Sequence, residues 1–174
     1  RRTQVEAAEL DPHARLALEG TAEAIADTGN FQNVGRTGVF TAAIRDDFEI
    51  PMTLCNLPRM VMHALGLSGP VGHLDTACTS SHLALHNARE SVSSGQCDAA
   101  VVVGTTVMLQ PQVSAGLPRS GILSTVGVCR PFDRQSDGMV RGEACVGLAL
   151  SKTGPHQALL LESSVSHNNP ALPH

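Results

Sequence analysis

Apolar and polar positions along this chain follow two periods, and the switches between them mark its elements. Ala14, Leu18, Ala22 and Ile25 recur at helical spacing. Before them stands Asp11-Pro12, an N-cap followed by proline at the first helical position, and after them Gly29 behind Thr28 is a stop. Together these predict an amphipathic helix of about four to five turns, weakened by Gly20 at ~1 kcal/mol relative to alanine. Thr37-Gly38-Val39-Phe40-Thr41-Ala42 reads as a short buried strand, followed by a polar connector through Arg45, Asp46, Asp47 and Glu49. Asn56 is placed to cap a second helix through Leu57, Val61, Ala64 and Leu65, ending at Gly66.

Gly69-Pro70 forms a turn that feeds a strand running toward Cys78, and a helix continues through Leu83, Ala84, Leu85, Ala88 and Val92 to a stop at Ser93-Ser94-Gly95. Asp98 to Gly104 is continuously apolar after its first residue, which predicts a strand covered on both faces. A helix between two such strands is the βαβ signature of a parallel sheet. Met108 to Asp137 lacks clean periodicity and carries Pro111, Pro118 and Pro131. It predicts a long structured loop with short helices, of the kind that forms the wall or gate of a substrate channel. Val146 to Leu150 and Ala158 to Val165 read as further strands. With no repeat, low-complexity tract or composition break, residues 1–174 are read as one domain.

Composition narrows the functional classes. A net charge of -4, a single lysine (Lys152) and no basic run argue against a nucleic-acid surface. The absence of Trp and Tyr removes the usual platforms for stacking bases or sugars. No apolar run approaches the ~20 residues of a membrane span, and no signal peptide is expected at Arg1-Arg2-Thr3-Gln4. Five cysteines, Cys55, Cys78, Cys97, Cys129 and Cys145, are odd in number and widely spaced. That spacing suits free thiols in a reducing, cytoplasmic setting better than a disulfide framework or a zinc site.

One of these thiols has a chemical context. Leu74-Asp75-Thr76-Ala77-Cys78-Thr79-Ser80-Ser81 places Cys78 where a strand passes into a helix, among small side chains. Unpaired amides and the positive end of the helix dipole stabilise a thiolate there, and the same amides can hold an oxyanion. His82 and His86 lie four apart on one helical face, but the intervening Leu83-Ala84-Leu85 lacks a zincin glutamate and no third ligand is nearby. Asp133, Asp137 and Glu143 are read as a polar loop with a buried ion pair, Arg141 and Glu143 holding the turn into the next strand.

The block Asp75 to Ser81, then Ala84-Leu85-His86 and Ser94-Gly95-Gln96-Cys97-Asp98, resembles the active-site block of a β-ketoacyl synthase domain of the polyketide and fatty acid synthase type. Leu10-Asp11-Pro12-His13-Ala14-Arg15-Leu16-Ala17-Leu18-Glu19 is similar to that family's LDPxxRLxLE helix, and Arg36 to Phe40 to its following strand. Gly121-Ile122-Leu123-Ser124, Cys129 to Asp133 and Asp137 to Glu143 fit the family in order. The chain departs from it at Val165-Ser166-His167-Asn168-Asn169-Pro170, where the family often has a VNxDG run.

The resemblance implies an α/β, thiolase-like fold: the N-terminal βαβαβαββ half, plus the start of the second half, of an α-β-α-β-α sandwich. Its sheet would be mixed and mostly parallel, with the first strand missing. It implies that Cys78 is the nucleophile, its own N–H contributing to the oxyanion hole, and that it takes an acyl group from the phosphopantetheine thioester of an acyl carrier protein. Decarboxylative condensation would follow. No bound cofactor or metal is implied. Expected partners are the acyl carrier protein and a second copy, or the missing C-terminal half that bears the family's two catalytic histidines, since none of the eight histidines here sits in an HGTGT-like run. Two other readings stay open: a ketosynthase-like scaffold or dimerisation module without turnover, and a CoA-dependent thiolase-like acyltransferase.

Overall fold

The computed structural model describes residues 10–28, 35–43, 56–154 and 156–166. Gly29, the Arg45 to Glu49 connector, Cys55 and the 167–170 stretch lie outside them.

The elements are α1 (Pro12–Asp27), β1 (Thr37–Ala43), α2 (Leu57–Leu65), β2 (Val71–Leu74), α3 (Ser80–Ser93), β3 (Ala99–Thr106), α4 (Pro111–Gly116) with a 3-10 turn at Leu117–Ser120, and β4 (Ala144–Ser151). Among the described residues no strand precedes α1. The predicted start of α1 is realised in detail: the Asp11 carboxylate accepts the His13 N–H at 2.7 Å, and proline stands in the first turn. Asn56 does stand at the N-cap of α2, but it makes no side-chain capping bond, and Pro58 in the first turn removes one donor that would need a cap. Gly66 closes α2 in the left-handed conformation, φ 66°.

The strands form one sheet in the order β2-β1-β3-β4. β1 is parallel to both β2 and β3, whereas β4 runs antiparallel to β3, so the sheet is mixed and mostly parallel. All seven residues of β1 are buried, as are the first five of β3, which is why both read as unbroken apolar runs. On one face Phe40, Ala42, Ala100 and Val102 pack against Ala84, Ala88 and Val92 of α3. On the other, Val39, Ala43 and Val103 pack against Ala14 and Ala17 of α1 and Leu57 and Val61 of α2. Full burial of a valine or leucine side chain contributes about 1.5–3 kcal/mol.

β4 is an edge strand with a split character. Its Cys145 and Gly147 lie under α1, whereas Val146 and Leu148 are 57% and 45% exposed. Ala158 to Val165, expected as a strand, is not one: among the described residues no neighbouring strand supplies the amides and carbonyls a ladder needs, and Leu159 and Leu161 are exposed. The segment instead runs against α3, where Arg89 Nη2 donates to the Leu161 carbonyl at 3.2 Å and His86 Nδ1 lies 2.9 Å from Ser163 Oγ.

Candidate active site

The three parallel strands end on the same edge of the sheet, at Ala43, Leu74 and Thr106. In open α/β sheets this carboxyl edge is where loops converge and ligands bind. β2 stops at Leu74 and α3 starts at Ser80, so Cys78 sits in a five-residue elbow instead of directly at the end of a strand. Residues 75–79 are all exposed, the Cys78 thiol among them.

The elbow turns through Ala77, which adopts φ 52°, a left-handed conformation that L-residues other than glycine avoid. Side chains of the elbow itself hold it. Ser80 is buried; its Oγ donates to the Ala77 carbonyl at 2.6 Å and accepts the Thr76 N–H at 2.8 Å. Thr79, the N-cap of α3, donates its hydroxyl back to the Thr76 carbonyl and hydroxyl oxygens, each at 2.9 Å. Small residues in the first turn of α3 let it approach β3. A Cβ on Gly104 would stand 2.5 Å from Ser81 Oγ, so a side chain at 104 would displace that hydroxyl.

The remaining described cysteines differ in kind. Burial pushes the thiols of Cys97 and Cys145 up from their ordinary value, which favours the protonated form, and Cys145 Sγ donates to the Leu16 carbonyl at 3.2 Å. Cys129 is exposed, but its sulfur accepts the Val140 N–H at 3.0 Å. Cys78 alone of the four lies in an elbow at the carboxyl edge.

The excursion between β3 and β4 leaves from that edge. Its neck is tied where Glu143 Oε1 accepts the Met108 N–H at 2.6 Å. Farther out, Asp137 receives the Thr125 hydroxyl at 2.7 Å, the Ser124 hydroxyl at 2.8 Å and the Thr125 N–H at 2.9 Å, and these bonds lower its pKa to about 2. The expectation that Asp133, Asp137 and Glu143 lie in a loop with a buried ion pair is thus corrected as to burial. All three are exposed, and the bonds that order the loop run from backbone and hydroxyl donors, which a carboxylate can accept without leaving water. Cys129 to Val140 and the Ile122–Met139 backbone pairing complete the bracing.

His82 and His86 bring no third ligand with them. Among the described residues no group of three or more His, Cys, Asp or Glu side chains could hold a metal ion. Likewise no described helix is long and apolar enough to cross a membrane. Sequence reasoning missed Ser80 and Gly104. Their only signal was size and polarity in a turn of otherwise similar small residues, which does not separate a brace from a spacer.

A mixed, mostly parallel sheet with helices packed on both faces is the architecture of a partial ketosynthase domain of thiolase fold. Residues 1–156 match the family model for the β-ketoacyl synthase N-terminal domain, and the chain belongs to that family. It is 38% identical over 164 residues to a mycocerosic acid synthase-like polyketide synthase of Mycobacterium tuberculosis, covering 84% of this chain and 8% of that protein. With the mellein synthase of Phaeosphaeria nodorum it shares 36% identity over 165 residues, 84% of this chain and 9% of that one. Among solved structures, an oxazolomycin ketosynthase domain of Streptomyces albus superposes with TM-score 0.80 at 30% identity, over 87% of this chain and 30% of that one. The ketosynthase from module 6 of the Bacillus subtilis bacillaene synthase gives TM-score 0.76 at 28% identity, over 82% and 27%. The chain therefore spans under a third of these solved ketosynthases and under a tenth of these two synthases.

Proposed function

We propose that Cys78 accepts an acyl group from the phosphopantetheine thioester of an acyl carrier protein, as the first half-reaction of a polyketide-type ketosynthase. The observation that carries this reading is the exposed thiol held in a braced elbow at the carboxyl edge of the sheet, directly before α3. In the step, Cys78 Sγ bonds to the thioester carbonyl carbon, the original carbon–sulfur bond breaks, and the proton of Cys78 leaves with the released pantetheine thiol. The intermediate's oxyanion is held by backbone amides, the Cys78 N–H among them.

Decarboxylation of an extender and carbon–carbon bond formation need groups this chain does not carry in recognisable motifs, and the rest of a ketosynthase would supply them. The exposed Val146 and Leu148 beside α3 offer an apolar face for it. Intact-mass analysis after incubation with an acyl-pantetheine thioester tests the acylation. One acyl increment on Cys78 and none on Cys78→Ala is expected; no adduct, or an equal adduct on both, would overturn the reading and leave a non-catalytic ketosynthase-like module.

A further inference from the structure

The elbow combines a strained residue with a buried side chain that contacts both of its flanks. Ala77 holds φ 52° immediately before Cys78, a conformation that persists only where neighbouring groups determine it. Ser80 supplies such determination: one buried hydroxyl donates to the carbonyl of Ala77 and accepts from the N–H of Thr76, while the Ser80 N–H reaches the same Ala77 carbonyl at 3.1 Å. Ser80 therefore anchors the Asp75–Thr76 and Ala77–Cys78 peptide units to the first turn of α3, while the Thr76–Ala77 unit between them is held through the Thr76 carbonyl by Thr79. The direction in which Cys78 leaves the backbone, and the orientation of its N–H, follow from that anchoring.

We propose that Ser80 is a positioning residue for Cys78: its hydroxyl holds Ala77 in the left-handed conformation and so sets the thiol and its adjacent amide in the geometry acyl transfer needs. This rests on the reading of Cys78 as the acyl acceptor. Ser80 touches no reacting atom in this scheme. Its effect is on an acyl transfer that requires thiol and oxyanion donors together, and much less on simple alkylation, which requires only an accessible thiol.

The test follows acylation of Cys78 by an acyl-pantetheine thioester, its alkylation by iodoacetamide, and amide hydrogen exchange at Thr76. In Ser80→Ala, acylation is expected to fall about tenfold to a hundredfold, the scale of a small misplacement of a reacting group. Alkylation should change little and Thr76 exchange should accelerate. Adding Ala77→Gly, which makes the left-handed conformation strain-free, is expected to recover most of the acylation rate without restoring slow Thr76 exchange. Ser80→Thr, which keeps the hydroxyl, should stay near wild type. Wild-type acylation in Ser80→Ala, or a folded Ala77→Gly/Ser80→Ala protein that still acylates slowly, overturns the proposal. If Ser80→Ala does not fold, that double variant decides the matter. If wild-type Cys78 takes no acyl group, the function reading fails separately; unchanged Thr76 exchange in Ser80→Ala would then overturn the brace as well, and faster exchange would uphold it.

Discussion

The backbone of Gly20 in α1 occupies the space where a side chain on Gly147 of β4 would begin: a Cβ there would overlap the Gly20 carbonyl oxygen. A Cβ on Gly20 would in turn stand 2.9 Å from Sγ of Cys145, two residues before Gly147 on the same strand. Two glycines thus let helix and edge strand meet backbone to backbone. Gly20 reads in the sequence only as a weak point in a helix, but its cost in propensity is offset by this approach. Gly147→Ala is expected to destabilise the fold by about 1–3 kcal/mol through overpacking, because the obstructing atom is backbone and cannot rotate away. The urea midpoint should fall with an unchanged slope.

Gly104→Ala should behave differently. Its added methyl meets Ser81 Oγ, the end of a side chain that can turn aside, so the loss in stability is expected to be below about 1 kcal/mol. Because the Ser81 hydroxyl can rotate away, the first turn of α3 need not move, and acylation of Cys78 should change little. Thermal unfolding and acylation rates measured on the same variant check both parts.

His73 sits at the end of β2 with its Nδ1 2.8 Å from Thr41 Oγ1. Burial holds its pKa below the ordinary 6.5, against opposing contributions from the Asp75 charge and the Ala43 carbonyl. A histidine harder to protonate folded than unfolded contributes stability that is fully present above pH 6.5 and declines as pH falls below it, levelling off once the folded form also takes the proton. Wild type should therefore lose stability on acidification through this range relative to His73→Gln. Parallel denaturation curves for the two proteins would reveal a constant difference if His73 does not titrate in this way.

Asp137 is the opposite case. Its pKa is lowered to about 2 by the Thr125 hydroxyl, the Ser124 hydroxyl and the Thr125 N–H, so the tie it makes is intact above the ordinary 3.8 and lost as pH falls toward 2. Asp137→Asn should loosen the excursion between β3 and β4, seen as faster proteolysis within residues 121–140, with β-sheet stability little changed. An NMR titration of the Thr125 amide in wild type should inflect near pH 2.

Much of this protein was legible in its local patterns. Helical spacing from Ala14 to Ile25, the apolar run from Ala99 to Val103 and the punctuation at Gly66 and Gly95 placed α1, β3 and the ends of α2 and α3, because periodicity and turn chemistry act over a few neighbouring residues. The block around Cys78 likewise singled out one thiol of five. Other properties were decided only by residues distant in sequence. Ala158 to Val165 has the composition of a strand, but among the described residues no strand lies beside it to pair with. Gly20 and Gly147 acquire their meaning from each other across the α1–β4 contact. Cys78 was visible as a candidate nucleophile, whereas its elbow was not: the left-handed Ala77, the Ser80 hydroxyl shared between two peptide units and the room left by Gly104 arise only when α3 is docked on the sheet, since strain and close approach are properties of packed backbone.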